Sequence, residues 1–162
     1  MLTIEFVRLP EVDKTSIIEL MNNVLVRKQM PLLTDTFNED SCDQFVAAKE
    51  DLWNTHGYGP WAFMVDGHFA GWGGLQPENG EADLALVLHP KYWGIGKTIY
   101  KKIISRAFDE MKLESVIVLF PPTRTKIRGL FSLGFKEDGK LRIENTQFVR
   151  YRIKNPKLHL PG

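Results

Sequence analysis

Six consecutive residues, Trp93-Gly94-Ile95-Gly96-Lys97-Thr98, put two glycines and a lysine where a short apolar run gives way to an amphipathic segment. A glycine-rich turn that opens a helix presents main-chain N–H groups at the positive end of the helix dipole. It can therefore hold a phosphate with little help from side chains. Without a Cβ, Gly94 and Gly96 would let the main chain come close to such a ligand. Lys97, and Lys101 one turn on, would add positive charge. The same residues also suit a tight strand-to-helix turn with solvated lysines, and spacing alone does not choose. Gly96-Lys97-Thr98 matches the end of the nucleotide loop G-x-x-x-x-G-K-S/T, but the glycine due five residues before Gly96 is Lys91. Nor does a later apolar strand end in the aspartate that would organise Mg²⁺: SVIVLF, residues 115–120, runs into Pro121-Pro122. A triphosphate site is poorly supported.

Two residues could move a proton near that turn. Asp83 opens the apolar stretch DLALVLH, where a carboxylate is costly unless it is hydrogen-bonded or used. As the first residue of a strand it could equally be solvated. His89 is the second candidate, because histidine as a residue type titrates near neutrality, although a position before Pro90 also suits a turn. Cys42 falls on the apolar side of a helical stretch and reads as packing. The four histidines, His56, His68, His89 and His159, lack ligand spacing, so no metal site is expected.

These residues need elements to hold them. LTIEFVR, residues 2–8, reads as a strand ended by Pro10. Residues 12–28 carry Ile17, Leu20, Met21, Val24 and Leu25 at helical spacing. After a loop over 31–38, a second helix is expected from Glu39 to Trp53, with Phe45, Val46, Ala48 and Leu52 apolar and two acids at its start. His56 to Pro60 is turn chemistry. Asp66-Gly67 marks a hairpin between two apolar runs, and PENGEA, residues 77–82, marks another turn before DLALVLH. Thr98 to Lys112 is amphipathic, with Ile99, Ile103, Ile104, Ala107, Phe108 and Met111 on one face. SVIVLF has the unbroken apolar character of a strand buried on both sides. Strand, glycine turn, helix and strand in succession make a crossover unit joining parallel strands. A shorter helix over 124–132, ending at Gly134, precedes two strands, FKEDGKLRI and QFVRYRIK, expected to pair antiparallel. The whole predicts an α/β fold, a mixed sheet with helices on both faces.

LALVLHPKYWGIGKTIYKKII, residues 84–104, resembles the acetyl-CoA loop of the GNAT acyltransferases, Q/R-x-x-G-x-G/A after a strand. Trp93 takes the Q/R place, Gly96 the first glycine and Thr98 the final small residue, where threonine is bulkier than the pattern. A tryptophan there, within a His/Asp-Pro-x-Tyr-Trp-Gly phrase, is similar to the branch that includes the ribosomal-protein N-terminal acetyltransferases. TRTKIRGLFSLGFKEDG, residues 123–139, resembles a second family segment through Leu133-Gly134-Phe135 and Gly139, with Thr123 replacing an asparagine and Lys126 a serine or alanine. The tyrosine that some members use as general acid falls on Leu130. The resemblance covers roughly residues 61–153 and leaves the N-terminal helices as the family's variable acceptor region.

It implies the acyl-CoA N-acyltransferase fold: a mostly antiparallel sheet whose central parallel strands, 83–88 and 115–120, splay apart. It implies acetyl-CoA as donor, bound by Trp93, Gly94, Ile95, Gly96, Lys97 and Thr98 and by main-chain groups of Leu86, Val87 and Leu88 acting as an added strand would. An N–H near Leu88 would face the oxyanion, and an amine would attack directly with Asp83, or His89, as base. Arg124, Lys126 and Arg128 are candidates for the 3′-phosphate of CoA. Trp53, Tyr58, Trp61, Trp72, Glu78 and Glu81 are candidates for an acceptor pocket. A module that binds acyl-CoA without turning it over is the rival class.

Composition sets the bounds. The 162 residues fit one domain over 1–162, with 43% hydrophobic and 25% charged residues. With 21 basic and 20 acidic residues the net charge is +1, which gives no global field for nucleic acid or anionic membrane. The lone Cys42 excludes an internal disulfide and fits a reducing cytoplasm. MLTIEFVRLPEVDK carries Glu5 and Arg8 and has no signal-peptide core. No run approaches the ~18 apolar residues of a membrane span. The expected partners are acetyl-CoA and an amine, small molecule or peptide N-terminus, for a monomer or homodimer.

Overall fold

The computed structural model describes residues 2–124 and 127–158. Its strands are β1 (Ile4–Val7), β2 (Pro60–Val65), β3 (His68–Glu78), β4 (Glu81–Leu88), β5 (Ser115–Phe120), β6 (Lys136–Ile143) and β7 (Thr146–Lys154). They form one seven-stranded sheet in the order β1-β2-β3-β4-β5-β7-β6. Every neighbouring pair is antiparallel except β4 and β5. The helices are α1 (Lys14–Asn22), α2 (Val24–Lys28), α3 (Glu39–His56), α4 (Gly96–Ser105) and α5 (Arg128–Ser132).

Strand alternation splits the core in two. On one face Ala62 and Trp72 pack with Ile17, Leu20, Met21, Val26 and Cys42 of α1 to α3. On the other, Phe63, Leu75, Leu84 and Val116 pack with Ile99 and Ile103 of α4 and Leu130 of α5. Cys42 is fully buried filler.

The structure departs from the sequence reading locally in three places. The helix expected over 12–28 breaks at Asn23, whose backbone is extended and whose Oδ1 accepts the N–H groups of Leu25 and Val26, capping α2. The break turns α2 back toward the sheet and lets Val26 reach the core. The helix expected from Thr98 to Lys112 begins earlier, at Gly96. It widens after Ser105 into a π-turn over Arg106–Glu110, where the Met111 N–H reaches the Arg106 carbonyl, and Lys112 adopts φ +58. Buried Asn155 holds this widened end by donating to the Leu113 carbonyl at 2.9 Å. The helix expected over 124–132 is shorter, Arg128–Ser132, while Lys126 and His159 lie outside the described residues.

Candidate active site

β4 and β5 pair at one register position only, Asp83 with Ile117. Both strands then run on, to Leu88 and Phe120, without pairing again. The gap between them opens into a cleft of about 930 Å³. One end is walled by Met21, Met30, Leu33, Phe37, Phe45 and Trp72 from the α1–α3 side. The other is walled by Tyr100, Phe120, Arg124, Leu130 and Leu133.

The direction of each β4 main-chain group follows from the β3 pairing. His89 N–H donates to the Ala70 carbonyl at 2.9 Å, which sets the antiparallel alternation. Val87 is opposite Trp72 and Ala85 opposite Gly74, so these two exchange their hydrogen bonds with β3. Leu84, Leu86 and Leu88 therefore turn theirs toward β5. A parallel bridge at Asp83 uses its neighbours Ala82 and Leu84, and the Leu88 carbonyl already accepts the Trp93 indole N–H at 2.9 Å. What faces the gap is the Leu84 carbonyl, both groups of Leu86 and the Leu88 N–H. That is an open strand edge over residues 84–88, with three of the five turned to the gap. Of the three residues expected to offer main-chain bonds, Leu86 and Leu88 are placed to do so. Val87 is not: its groups are committed to β3.

The glycine turn is more regular than its sequence implies. Pro90–Ile95 forms a 3-10 turn, and Gly96 is already helical at φ −54, ψ −43. Neither Gly94 nor Gly96 has positive φ. A Cβ on Gly94 would meet nothing, and one on Gly96 would make ordinary contact with the Leu86 and Leu88 side chains at 3.6 and 3.8 Å. The fold thus does not require glycine at either place, which leaves the space beside them for a ligand. Ile95 at the N-cap offers no side-chain acceptor, so α4 opens uncapped at the cleft. Trp93, Gly96 and Lys97 line the cavity; Gly94, Ile95 and Thr98 belong to the same turn without lining it. The uncapped mouth of α4 and the open edge of β4 thus face the same cleft.

Asp83 sits at the apex of the split, 6% exposed. Burial raises its carboxyl to about 6, against a hydrogen bond from Gln76 Nε2 to Oδ2 at 3.2 Å; Glu78 adds to the rise and Lys49 opposes it. A carboxyl so placed exchanges protons near neutral pH. His89 stands elsewhere. It is exposed, it does not line the cleft, and its Nδ1 accepts the Lys91 N–H at 3.1 Å to cap the turn. It is a capping residue, correcting its expected place beside the chemistry.

Of the aromatic residues expected at an acceptor pocket, only Trp72 lines the cleft. Trp53 and Trp61 meet edge to face with ring centres 4.9 Å apart and Phe6 beside them, over which Arg106 lies, and Tyr58 packs against the same cluster. Glu78 lines the cleft, whereas Glu81 pairs with Arg152 at 2.5 Å. Arg124 stands at the far end over the Phe120 ring, 3.9 Å away; Arg128 does not line the cavity. Sequence reading missed Lys49, Gln76 and Tyr100. Lys49 was visible in principle, because it interrupts the stripe of Phe45 and Leu52 on α3. Gln76 emerges only once the β3–β4 register places it opposite Asp83.

A family model described as "Acetyltransferase (GNAT) domain" matches residues 4–135. No curated protein is similar in sequence at a significant level. An acetyltransferase from Agrobacterium tumefaciens shares the fold with a TM-score of 0.77 at 16% identity, over 93% of this chain and 90% of that one. A ribosomal-protein-S5-alanine acetyltransferase from Vibrio fischeri matches with 0.74 at 14%, over 95% and 93%. A spermidine N-acetyltransferase from Vibrio cholerae, solved with CoA and spermine, matches with 0.72 at 15%, over 96% of each chain. At these identities the structures speak for the fold alone. The family match spans most of the sequence, and with it the chain belongs to the GNAT acetyltransferases, enzymes whose acyl donor is acetyl-CoA.

Proposed function

We propose that this enzyme moves the acetyl group of acetyl-CoA directly onto the primary amine of a small molecule or a peptide N-terminus, with Asp83 as the base. The observation that carries the reading is the place of Asp83: buried, at the apex of the β4–β5 split, lining the cleft. The open edge of β4 would hold the pantetheine arm, and the mouth of α4 with Lys97 the diphosphate. The Leu88 N–H would donate to the thioester oxygen as it gains charge. Attack by the neutral amine forms the C–N bond, the C–S bond breaks, and Asp83 takes the amine's proton.

The leaving thiolate then needs a proton, and Leu130 supplies none. Tyr100 lines the cleft from α4, with its phenol pushed up to about 12, chiefly by burial. It stays protonated through the working range, and its hydroxyl is assigned to hydrogen-bond the departing thiolate, which takes its proton from solvent. A cytoplasmic setting is supported by the free, buried Cys42.

The test is a thermal melt with acetyl-CoA together with CoA release over a panel of amines, for wild type and Asp83→Asn. Stabilisation by acetyl-CoA and a release rate that collapses in the variant are expected. No melting shift at millimolar acetyl-CoA would overturn the reading. Stabilisation without release to any amine would point to an acyl-CoA-binding module, and release that is indifferent to Asp83→Asn to an enzyme whose base is not Asp83.

A further inference from the structure

Lys49 lies on the side of α3 that faces the sheet and lines the acceptor end of the cleft. Its ammonium donates to Gln76 Oε1 at 2.9 Å and lies 5.3 and 5.6 Å from the ring centres of Trp72 and Phe45. It takes part in none of the ion pairs among the described residues. An ammonium has three N–H donors, so a neutral amide oxygen and two π faces leave its charge largely uncompensated. Burial accordingly lowers its pKa, with Asp83 the opposing influence. A desolvated cation without a counter-ion is costly, and here it points into a binding cavity.

The same half of the cleft carries its negative groups on the opposite wall. Asp83 and Glu78 rise from the sheet, and the Gln76 amide stands between Lys49 and Asp83, bonded to both. The rest of that surface is mainly apolar, with Met21, Val26, Met30, Leu33 and Phe37 alongside Gln29. An amine moving toward Asp83 therefore brings whatever it carries on the next carbons against the Lys49 ammonium. The two charges are one amide group apart, a spacing that an α-amino acid covers with a hydrogen bond at each end. A polyamine would set a second ammonium against Lys49 in a poorly solvated pocket, where like charges repel strongly. A peptide bond would offer a carbonyl but leave the lysine charge unpaired.

We infer that the acceptor is a small zwitterion with an apolar side chain, its amine at Asp83 and its carboxylate on the Lys49 ammonium. This rests on the acetyl-transfer reading above and narrows its acceptor class. The experiment compares matched acceptors: leucine, methionine and phenylalanine; their carboxamides; the corresponding amines without the carboxylate; and spermidine. CoA thiol release is measured for wild type and Lys49→Met.

The acids are expected to exceed their amides and amines at least ten-fold in kcat/KM. Lys49→Met is expected to erase that ratio while leaving the KM for acetyl-CoA unchanged. Amides, amines or spermidine matching the acids in wild type would overturn the inference and leave acetyl transfer intact, without reliance on the variant. A Lys49→Met enzyme that loses all acceptors equally would overturn it in favour of a structural lysine. Transfer to no member of the panel would sink both readings together.

Discussion

The burial that raises the Asp83 carboxyl also makes this group a cost to stability at neutral pH. Its carboxyl is raised from 3.8 to about 6 by burial, so between those values the folded protein binds more protons than the unfolded chain. Stability from this group is complete below the unfolded pKa and is lost as pH rises toward 6. Above that the folded state carries a buried carboxylate at a cost on the order of 2–3 kcal/mol. Asp83→Asn should therefore melt higher than wild type at pH 7.5 and lose roughly 10²- to 10⁴-fold in kcat, the usual contribution of a general base. In wild type, kcat should climb through pH 6 and flatten above it, and in the variant that limb should vanish. A melting temperature that falls, with the limb retained, would show that Asp83 only holds Gln76 in place. Tyr100→Phe should have a milder effect. A thiol with pKa near 8.5 departs largely without help, so we expect about a ten-fold fall in kcat, no change in the KM for acetyl-CoA, and a deficit that shrinks for acyl donors with more acidic thiols.

At the level of elements, the three two-residue hairpins show what a sequence announces and what it conceals. Asp66-Gly67 and Asn79-Gly80 join β2 to β3 and β3 to β4, and all four residues have positive φ, as the favoured hairpin turns demand. Both were legible because glycine takes that conformation without strain. Glu144-Asn145 does the same work between β6 and β7 at φ +50 and +66 with no glycine. There the strand pairing could be read only from the flanking strands. Replacing the pair by Asn-Gly should stabilise the protein by about 1 kcal/mol, measurable as a rise in the denaturation midpoint at unchanged slope. No rise would mean that the sheet already compensates the strain. Strand and helix identities were legible for the same reason the first two turns were: local periodicity and turn chemistry agree with the fold. The break at Asn23 was concealed because the apolar stripe runs straight through it. The β4–β5 split was concealed because each strand is locally an ordinary strand, and only family resemblance pointed to the gap. Lys49 and Gln76 meet Asp83 across α3, β3 and β4, a convergence that no single stretch encodes.

For the molecule as a whole, the split means that β1 to β4 and β5 to β7 meet in the sheet through one register position, Asp83 with Ile117, and are otherwise joined by helices packed across the faces. A ligand lying along the open edge of β4 acts as the missing strand, tying the two parts of the sheet together as well as filling a cavity. Acetyl-CoA at a hundred times its Kd adds about 2.7 kcal/mol to the folded state, which for a chain of this size is roughly 5–10 °C in Tm. Its imprint on amide exchange should be local and alternate. In the free protein the Leu86 and Leu88 amides face the gap and should exchange quickly, while Val87, bonded to Trp72, stays protected. On adding acetyl-CoA, Leu86 and Leu88 should slow, Val87 should change little, and the first-turn amides of α4 at Lys97 and Thr98 should slow with them. Uniform slowing along β4, or protection confined to α4, would mean that the pantetheine arm does not pair with this edge and that the split has another purpose.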